Sequence, residues 1–179
     1  LRSRAAVLAS WGIMGIDRPT PTTAIIAGAT YAPPTITEDF NAGLNVANLA
    51  MTSTALVSTP KVQELTLRLN NNLYQVDAVG QYAPVGHGLG RFEVSGSMKM
   101  LFESLAAYTA ILNHENVAIG FDMNDPAGNK YAFSIPKVKF MDGGPSAPGN
   151  GQPVILDVPY QAVFDATLGA SISITRTGG

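Results

Sequence analysis

Val62-Gln63-Glu64-Leu65-Thr66-Leu67-Arg68-Leu69-Asn70 and, further along, Phe92-Glu93-Val94-Ser95-Gly96-Ser97-Met98-Lys99-Met100 decide the fold. In the first stretch Gln63, Leu65, Leu67 and Leu69 alternate with Glu64, Thr66, Arg68 and Asn70. In the second, Phe92, Val94, Met98 and Met100 alternate with Glu93, Ser95, Ser97 and Lys99. A period of two is the signature of a strand with one apolar and one wet face.

Downstream, Asn70-Asn71-Asn72 ends the first strand, and the glycine-rich turn Val85-Gly86-His87-Gly88-Leu89-Gly90 precedes the second. Glu103 to Asn113 is the one strong helix candidate, with Leu105, Tyr108 and Leu112 on one face. Val117 to Met123 and Tyr131 to Phe140 read as a hairpin across Asn124-Asp125-Pro126-Ala127-Gly128-Asn129. A glycine-proline loop runs from Asp142 to Pro153, and strands Val154 to Phe164 and Ala170 to Arg176 complete the chain. The order from Lys61 is β-β-α-β-β-β-β, which predicts a β-sandwich or partly open barrel with one flanking helix. Leu65, Leu67, Phe92, Val94, Leu105, Tyr108, Phe133, Tyr160 and Phe164 are expected to be mainly buried.

Upstream, Ala5 to Ile16 reads as a buried strand carrying Trp11 and Ile13, stopped by Asp17-Arg18-Pro19-Thr20-Pro21. Thr22 to Ile26 is a further short strand candidate. Arg2 and Arg4 ahead of an apolar run imitate a signal peptide, but the small-residue site Ala27-Gly28-Ala29 lies too far beyond that run. The start at Leu1 reads as a point inside a longer protein. Ala27 to Pro60 lacks periodicity and is too long for an ordinary loop, so it reads as a linker or arm. Its apolar residues, Phe40, Leu44, Val46, Leu49, Met51, Leu56 and Val57, should lie against another surface. Leu8 and Asp17 stand at the same offset, 148, from Leu156 and Asp165, which would fit a protein of two similar halves.

Composition narrows the function. Of 179 residues, 46% are hydrophobic and only 13% charged, against about 25% charged in a typical soluble domain. Much of the surface should therefore be covered, most simply by further copies of the chain. The net charge of −2 lacks the basic footprint of tight nucleic-acid binding. Zero cysteines exclude a disulfide framework, a thiolate metal site and a cysteine nucleophile. No apolar run reaches the roughly 18 residues of a membrane-spanning helix.

Catalytic chemistry finds no seat. His87 and His114 have no further ligand at metal-site spacing, and no Gly-x-Ser-x-Gly elbow occurs. The segment from Gly86 to Gly90 lacks phosphate-loop spacing and precedes a strand instead of a helix, so it reads as a tight turn. Asp122-Met123-Asn124-Asp125 is broken as a calcium loop by Pro126 and reads as a polar turn. The basic residues, including Lys137, Lys139, Arg91 and Lys99, read as solvated or intersubunit charge. No enzyme activity, cofactor or metal is expected. Abundant strands with unpaired edges suit a protein that assembles with its own copies.

Several segments resemble one family. They are Val62 to Leu73 running into Ala78-Val79-Gly80, Gly88 to Ser97 leading to the helix, Asn129 to Phe140, and Asn150-Gly151-Gln152-Pro153-Val154 through Pro159-Tyr160-Gln161-Ala162. In this order they resemble the tail tube protein of phages with long, non-contractile tails. The resemblance covers Lys61 to the end, and Ala5 to Asp17 resembles the closing strand of the first half in two-domain members. It implies three parts: residues 1–26 as closing strands of an N-terminal tube-like domain, 27–60 as an arm, and 61–179 as a tail-tube domain. The implied fold is a β-sandwich with one helix whose neighbours join into a ring-shaped barrel. The implied function is structural: stacked rings, of three two-domain or six single-domain subunits, form a tube that conducts DNA from the capsid. Partners would be the chain itself and the tape-measure, terminator and distal tail proteins, with DNA passing unbound and no membrane contact. Assembly would take place in the host bacterial cytoplasm, and the location would be the virion tail.

On this reading the polar strand face, Glu64, Thr66, Arg68, Glu93, Ser95, Ser97 and Lys99, is the candidate channel lining. Phe40, Leu44, Val46, Leu49 and Met51 are candidates for an arm between rings. The competing class is a surface-binding β-sandwich, an adhesin or carbohydrate-binding module, which would need an exposed aromatic platform. A small hydrolase is a third reading without a catalytic cluster.

Overall fold

The structure is a computed structural model and describes residues 1–2, 5–15, 39–56 and 58–178. Among the described residues eleven strands and one helix follow in chain order: β1 (Val46–Thr52), β2 (Val62–Leu65), β3 (Arg68–Asn70), β4 (Tyr74–Val76), β5 (Gly86–Gly88), β6 (Glu93–Leu101), α1 (Ala106–Leu112), β7 (Val117–Asn124), β8 (Lys130–Phe140), β9 (Gly144–Ser146), β10 (Ile155–Ala162) and β11 (Ser173–Thr177). The fold is mainly β with a single helix, as the alternation predicts.

One sheet runs β1-β7-β8-β10-β6-β2, with β3 also on β6, β9 on β10 and β11 on β8; β4 and β5 form a separate two-stranded ribbon. All pairs are antiparallel. The apolar halves of the alternating strands meet inside. Leu65, Val94, Met98, Met100, Val117, Ile119, Ile135, Val138, Leu156, Val158 and Tyr160 are buried there. Phe121 and Phe133 stack across β7 and β8 at a ring separation of 4.7 Å. The β7–β8 hairpin turns where expected. Asp125 accepts hydrogen bonds from the Asn129 amide (2.8 Å) and side chain (2.7 Å), and Gly128 takes a positive φ of 88°.

The predicted strand from Gln63 to Leu69 is split at Thr66 and Leu67 for a local reason. The Ser97 amide donates to Thr66 Oγ1 at 2.8 Å, and the Thr66 amide to the Ser97 carbonyl at 2.9 Å. A hydroxyl thus stands in the ladder where a carbonyl would be. The freed Thr66 carbonyl accepts the Tyr160 hydroxyl at 2.6 Å, reached over Gly96, which faces Tyr160 in the register of β6 and β10. Burial pushes the Tyr160 hydroxyl above its ordinary pKa, so it remains a donor.

Several expectations are corrected. Residues 5–15 form no strand, and Leu8, Trp11 and Ile13 are exposed, Trp11 at 85%. Residues at the very start instead strap the sheet edges together. Leu1 exchanges backbone hydrogen bonds with Leu65, and Ala5 and Val7 bond to Ala42 and Phe40 beside β1. The strand candidate Thr22 to Ile26 lies outside the described residues. The stretch 27–60, read as a linker, contains β1, which pairs with β7 and buries Met51; Leu56 is buried just beyond it. Its alternation is hidden by a bulge at Asn48, whose φ of 53° suits asparagine, and whose side chain donates to Asp122 at 2.6 Å.

The helix is shorter than predicted and turned over. Its buried residues are Ala107, Ala110 and Ile111, while Leu105 (66% exposed) and Leu112 face out and Tyr108 is half-buried. Small alanines let the helix lie close on the sheet, a gain that the bulkier leucine face could not offer. Phe92 and Phe164, expected inside, are exposed at the strand ends. Leu67 and Phe133 are half-buried against the core. The segment Gly86 to Gly88 is strand β5, not a tight turn, and pairs with Tyr74–Val76.

Candidate functional site

The sheet's outer face carries the candidate lining. Leu65, Met98 and Val158 point inward, so their strand neighbours point out. Register then builds a polar surface: Glu64 faces Lys99, Arg68 faces Ser95, and Asn70 faces Glu93. Thr66 Oγ1 and Ser97 Oγ lie 2.9 Å apart. All seven residues read from the sequence as a lining are therefore brought onto one face of β2, β3 and β6.

Register adds residues that local pattern did not single out. On β10, Asp157 faces Lys99, Pro159 faces Ser97, and Gln161 faces Ser95. On β8, Lys139 faces Gln161. Which strands lie side by side is a long-range fact, and the only local signal was the wet half of Ile155 to Ala162. On β2, β3, β6 and β10 the acids are Glu64, Glu93 and Asp157 and the bases Arg68 and Lys99; β8 adds Lys139 beside Gln161, while its Lys130 and Lys137 are paired with Asp122 and Asp165.

Charges on this face are tied to each other. Glu64 accepts from Lys99 and from Arg2, each at 3.3 Å. The Lys99 hydrogen bond, then the Arg2 and Lys99 charges, hold the Glu64 carboxyl below its usual pKa. The Lys139 ammonium donates to the His114 carbonyl, just past the helix.

Elsewhere, polar residues serve the scaffold. Asp122 accepts from Lys130 at 2.7 Å and from Asn48, and Asp165 pairs with Lys137 at 3.1 Å. Lys130 first, then Asn48, lowers the Asp122 pKa. The Leu168 amide, then Lys137, lowers that of Asp165. Glu115 is lowered chiefly by the Ala55 amide, which donates to it at 2.9 Å.

These directions set a pH dependence. A carboxylate with a depressed folded pKa contributes stability that is present above its unfolded value and lost as pH falls through the folded one. Against ordinary values of 4.5 for Glu64 and Glu115 and 3.8 for Asp122 and Asp165, the urea midpoint should stay level from neutral pH down to the carboxylate range and fall steadily below it. A midpoint that rises on acidification would contradict the assigned pairs.

His87 lies on the β4–β5 ribbon and His114 after α1, and among the described residues no group of three or more His, Cys, Asp or Glu could hold a metal. The arm candidates fare differently from the lining. Met51 is core, while Val46 and Leu49 line a small recess of about 90 Å³ beneath the N-terminal strap. Phe40 is half-buried, leaving only Leu44 projecting. The apolar projection lies instead on the β4–β5 ribbon, where Val79 and Tyr82 at the tip are fully exposed and Tyr74, Val76 and Val85 largely so. Trp11 is exposed on a segment outside any strand or helix, not on a sheet face.

No curated protein matches the chain. Among solved structures, a chain from the virion of a native gene transfer agent particle is similar at 12% identity, with 71% of this chain and 95% of that one covered and a TM-score of 0.48. A chain from the anti-feeding prophage cap matches at 11% identity over 87% of this chain and 100% of that one, with a TM-score of 0.47. An Hcp protein matches at 12% identity over 71% of this chain and 85% of that one, with a TM-score of 0.35. These likenesses are weak, and identity rests on a family model described as phage tail tube protein, which matches residues 2–162. Most of the chain falls within that match, and the chain therefore belongs to the phage tail tube protein family, as a structural component of the tail.

Proposed function

We propose that copies of this chain join edge to edge into rings, that the rings stack, and that the polar face of β2, β3, β6 and β10 lines the channel. The observation that carries this reading is the lack of excess base on that face, where the acids Glu64, Glu93 and Asp157 stand among the bases Arg68 and Lys99 with hydroxyls between them. DNA must slide past the wall. A basic lining would take up phosphates with release of counterions and hold the strand. Glu64, 3.3 Å from Lys99, offsets that cation and weakens its hold on phosphate.

The rings hold either three two-domain or six single-domain subunits. The tape-measure, terminator and distal tail proteins are the further partners, and assembly takes place in the host cytoplasm. The contact between rings falls to the β4–β5 ribbon in place of the earlier arm, because its tip exposes Val79 and Tyr82 where β1 is tied into its own sheet.

The test of the lining is Glu93→Lys with Ser95→Lys in the phage. Tails should form at normal length and eject DNA slowly, and added salt should ease the defect because counterions screen phosphate contacts. Normal ejection at low salt would place these residues outside the channel.

A further inference from the structure

We propose that residues 8–14 of one copy add as a strand to the free edge of β11 in a neighbouring copy, seating Trp11 in the cleft between Phe92 and Phe164. This contact rests on the self-assembly reading above.

The donor is an uncharged, proline-free stretch outside any helix or strand, Leu8-Ala9-Ser10-Trp11-Gly12-Ile13-Met14, without a backbone partner in the sheet among the described residues. Its large apolar side chains stand in solvent. The strap at Leu1 and Ala5–Val7 anchors its root to the body, so it leaves the domain as a tethered segment.

The acceptor lies at the other end of the sheet's logic. β11 hydrogen-bonds only to β8 among the described residues, and all five of its residues are exposed. An unpaired edge of this kind is normally covered. Beside it the chain between β10 and β11 detours through Phe164 and the Asp165–Ala170 bridge. The detour leaves a cleft of about 440 Å³, lined by Arg91, Phe92, Gln161, Ala162, Phe164 and Ile172. That is room for an indole, with two aromatic rings and one arginine among the lining residues.

Strand addition explains both features together. Backbone pairing supplies affinity, and a side-chain pocket supplies register. The partner is a second copy because donor and acceptor are different surfaces of one chain. Such a head-to-tail contact does not saturate in a two-fold dimer but continues into rings or filaments.

Trp11 is the only tryptophan, and the chain has no cysteine, so the emission reports on that residue alone and the cross-link on the introduced pair alone. Trp emission of the full chain should match exposed indole in the monomer and shift to the blue on assembly into tubes. Ile13→Cys chains co-assembled with Phe164→Cys chains should give an oxidised dimer across the two variants, and neither variant alone should give that band. Trp11→Phe should preserve assembly and Trp11→Asp abolish it. Tubes in which Trp11 stays exposed, or in which no mixed cross-link forms, overturn this contact and leave the ring reading standing. A blue-shifted monomer also overturns it, because the segment would then be covered within its own chain. Failure of the unaltered chain to form tubes overturns both.

Discussion

Gly96→Ala should lower the unfolding free energy by about 3 kcal/mol, although it adds only one methyl group. A Cβ at this position would lie 2.1 Å from the Thr66 carbonyl oxygen and 2.6 Å from the Tyr160 hydroxyl. The first of these atoms is backbone and cannot swing away. Relief requires β2 and β3 to separate from β6, or the Tyr160 ring to leave its place over Gly96. Either movement strands the Thr66 carbonyl, whose ladder partner has already been given to the Thr66 hydroxyl. Overpacking costs about 1–3 kcal/mol and an orphaned buried acceptor a further 1–3 or so. Tyr160→Phe removes only the hydrogen bond and should cost about 1 kcal/mol. Combining the two changes should cost less than their sum, since both act on the one contact between Thr66 and Tyr160. Urea unfolding of the three variants measures this directly, and a Gly96→Ala loss below about 1 kcal/mol would mean that the close approach is absent.

Replacing Val79 and Tyr82 together with serine should abolish tube formation while leaving the monomer's thermal midpoint unchanged. Both side chains are fully exposed at the tip of the β4–β5 ribbon, so nothing in the domain loses a contact. The ribbon is held to the rest of the chain beside Asn72, whose carbonyl accepts the Gly90 amide at 3.1 Å and whose side chain donates to the Arg91 carbonyl at 2.7 Å. That fixes its base and leaves the tip free to reach a neighbour. Burying two side chains of this size contributes about 1.5–3 kcal/mol each, repeated at every subunit of a ring, so the loss compounds along the tube. Sedimentation of assembled material against free protein decides the matter. Tubes of normal length from the doubly substituted chain would return the inter-ring contact to another surface, with Leu44 the first to examine.

Local pattern made much of this protein legible. The β7–β8 hairpin was readable because its turn chemistry, Asn124 to Asn129, lies between two alternating runs. The polar face of β2, β3 and β6 was readable because alternation sorts side chains to opposite sides whatever the strand pairs with. What failed had no local signature. β1 was hidden by the Asn48 bulge, which interrupts the period, and by alanines whose strand state comes from pairing with β7. β5 was hidden because glycines disfavour strands in isolation; here the Tyr74 ring lies over Gly88 and the pairing decides. The helix is legible from its period, but side-chain size points to the leucine face, whereas the close seat on the sheet selects Ala107 and Ala110.

By itself the sequence determined a mainly β domain with one helix, a wet sheet face of balanced charge, and a composition that calls for cover by other copies. Those follow from period, turn residues and charge count, which need no knowledge of distant neighbours. Tertiary structure alone decided which strands adjoin, and so that Asp157, Gln161 and Lys139 extend the polar face. It also decided that Trp11 stands in solvent and that Thr66 exchanges a carbonyl for a hydroxyl in the ladder. The physical reason is common to all three. Burial and hydrogen-bond partners of a residue are set by segments far along the chain, and pairing energy between distant strands outweighs the weak preference of any one of them.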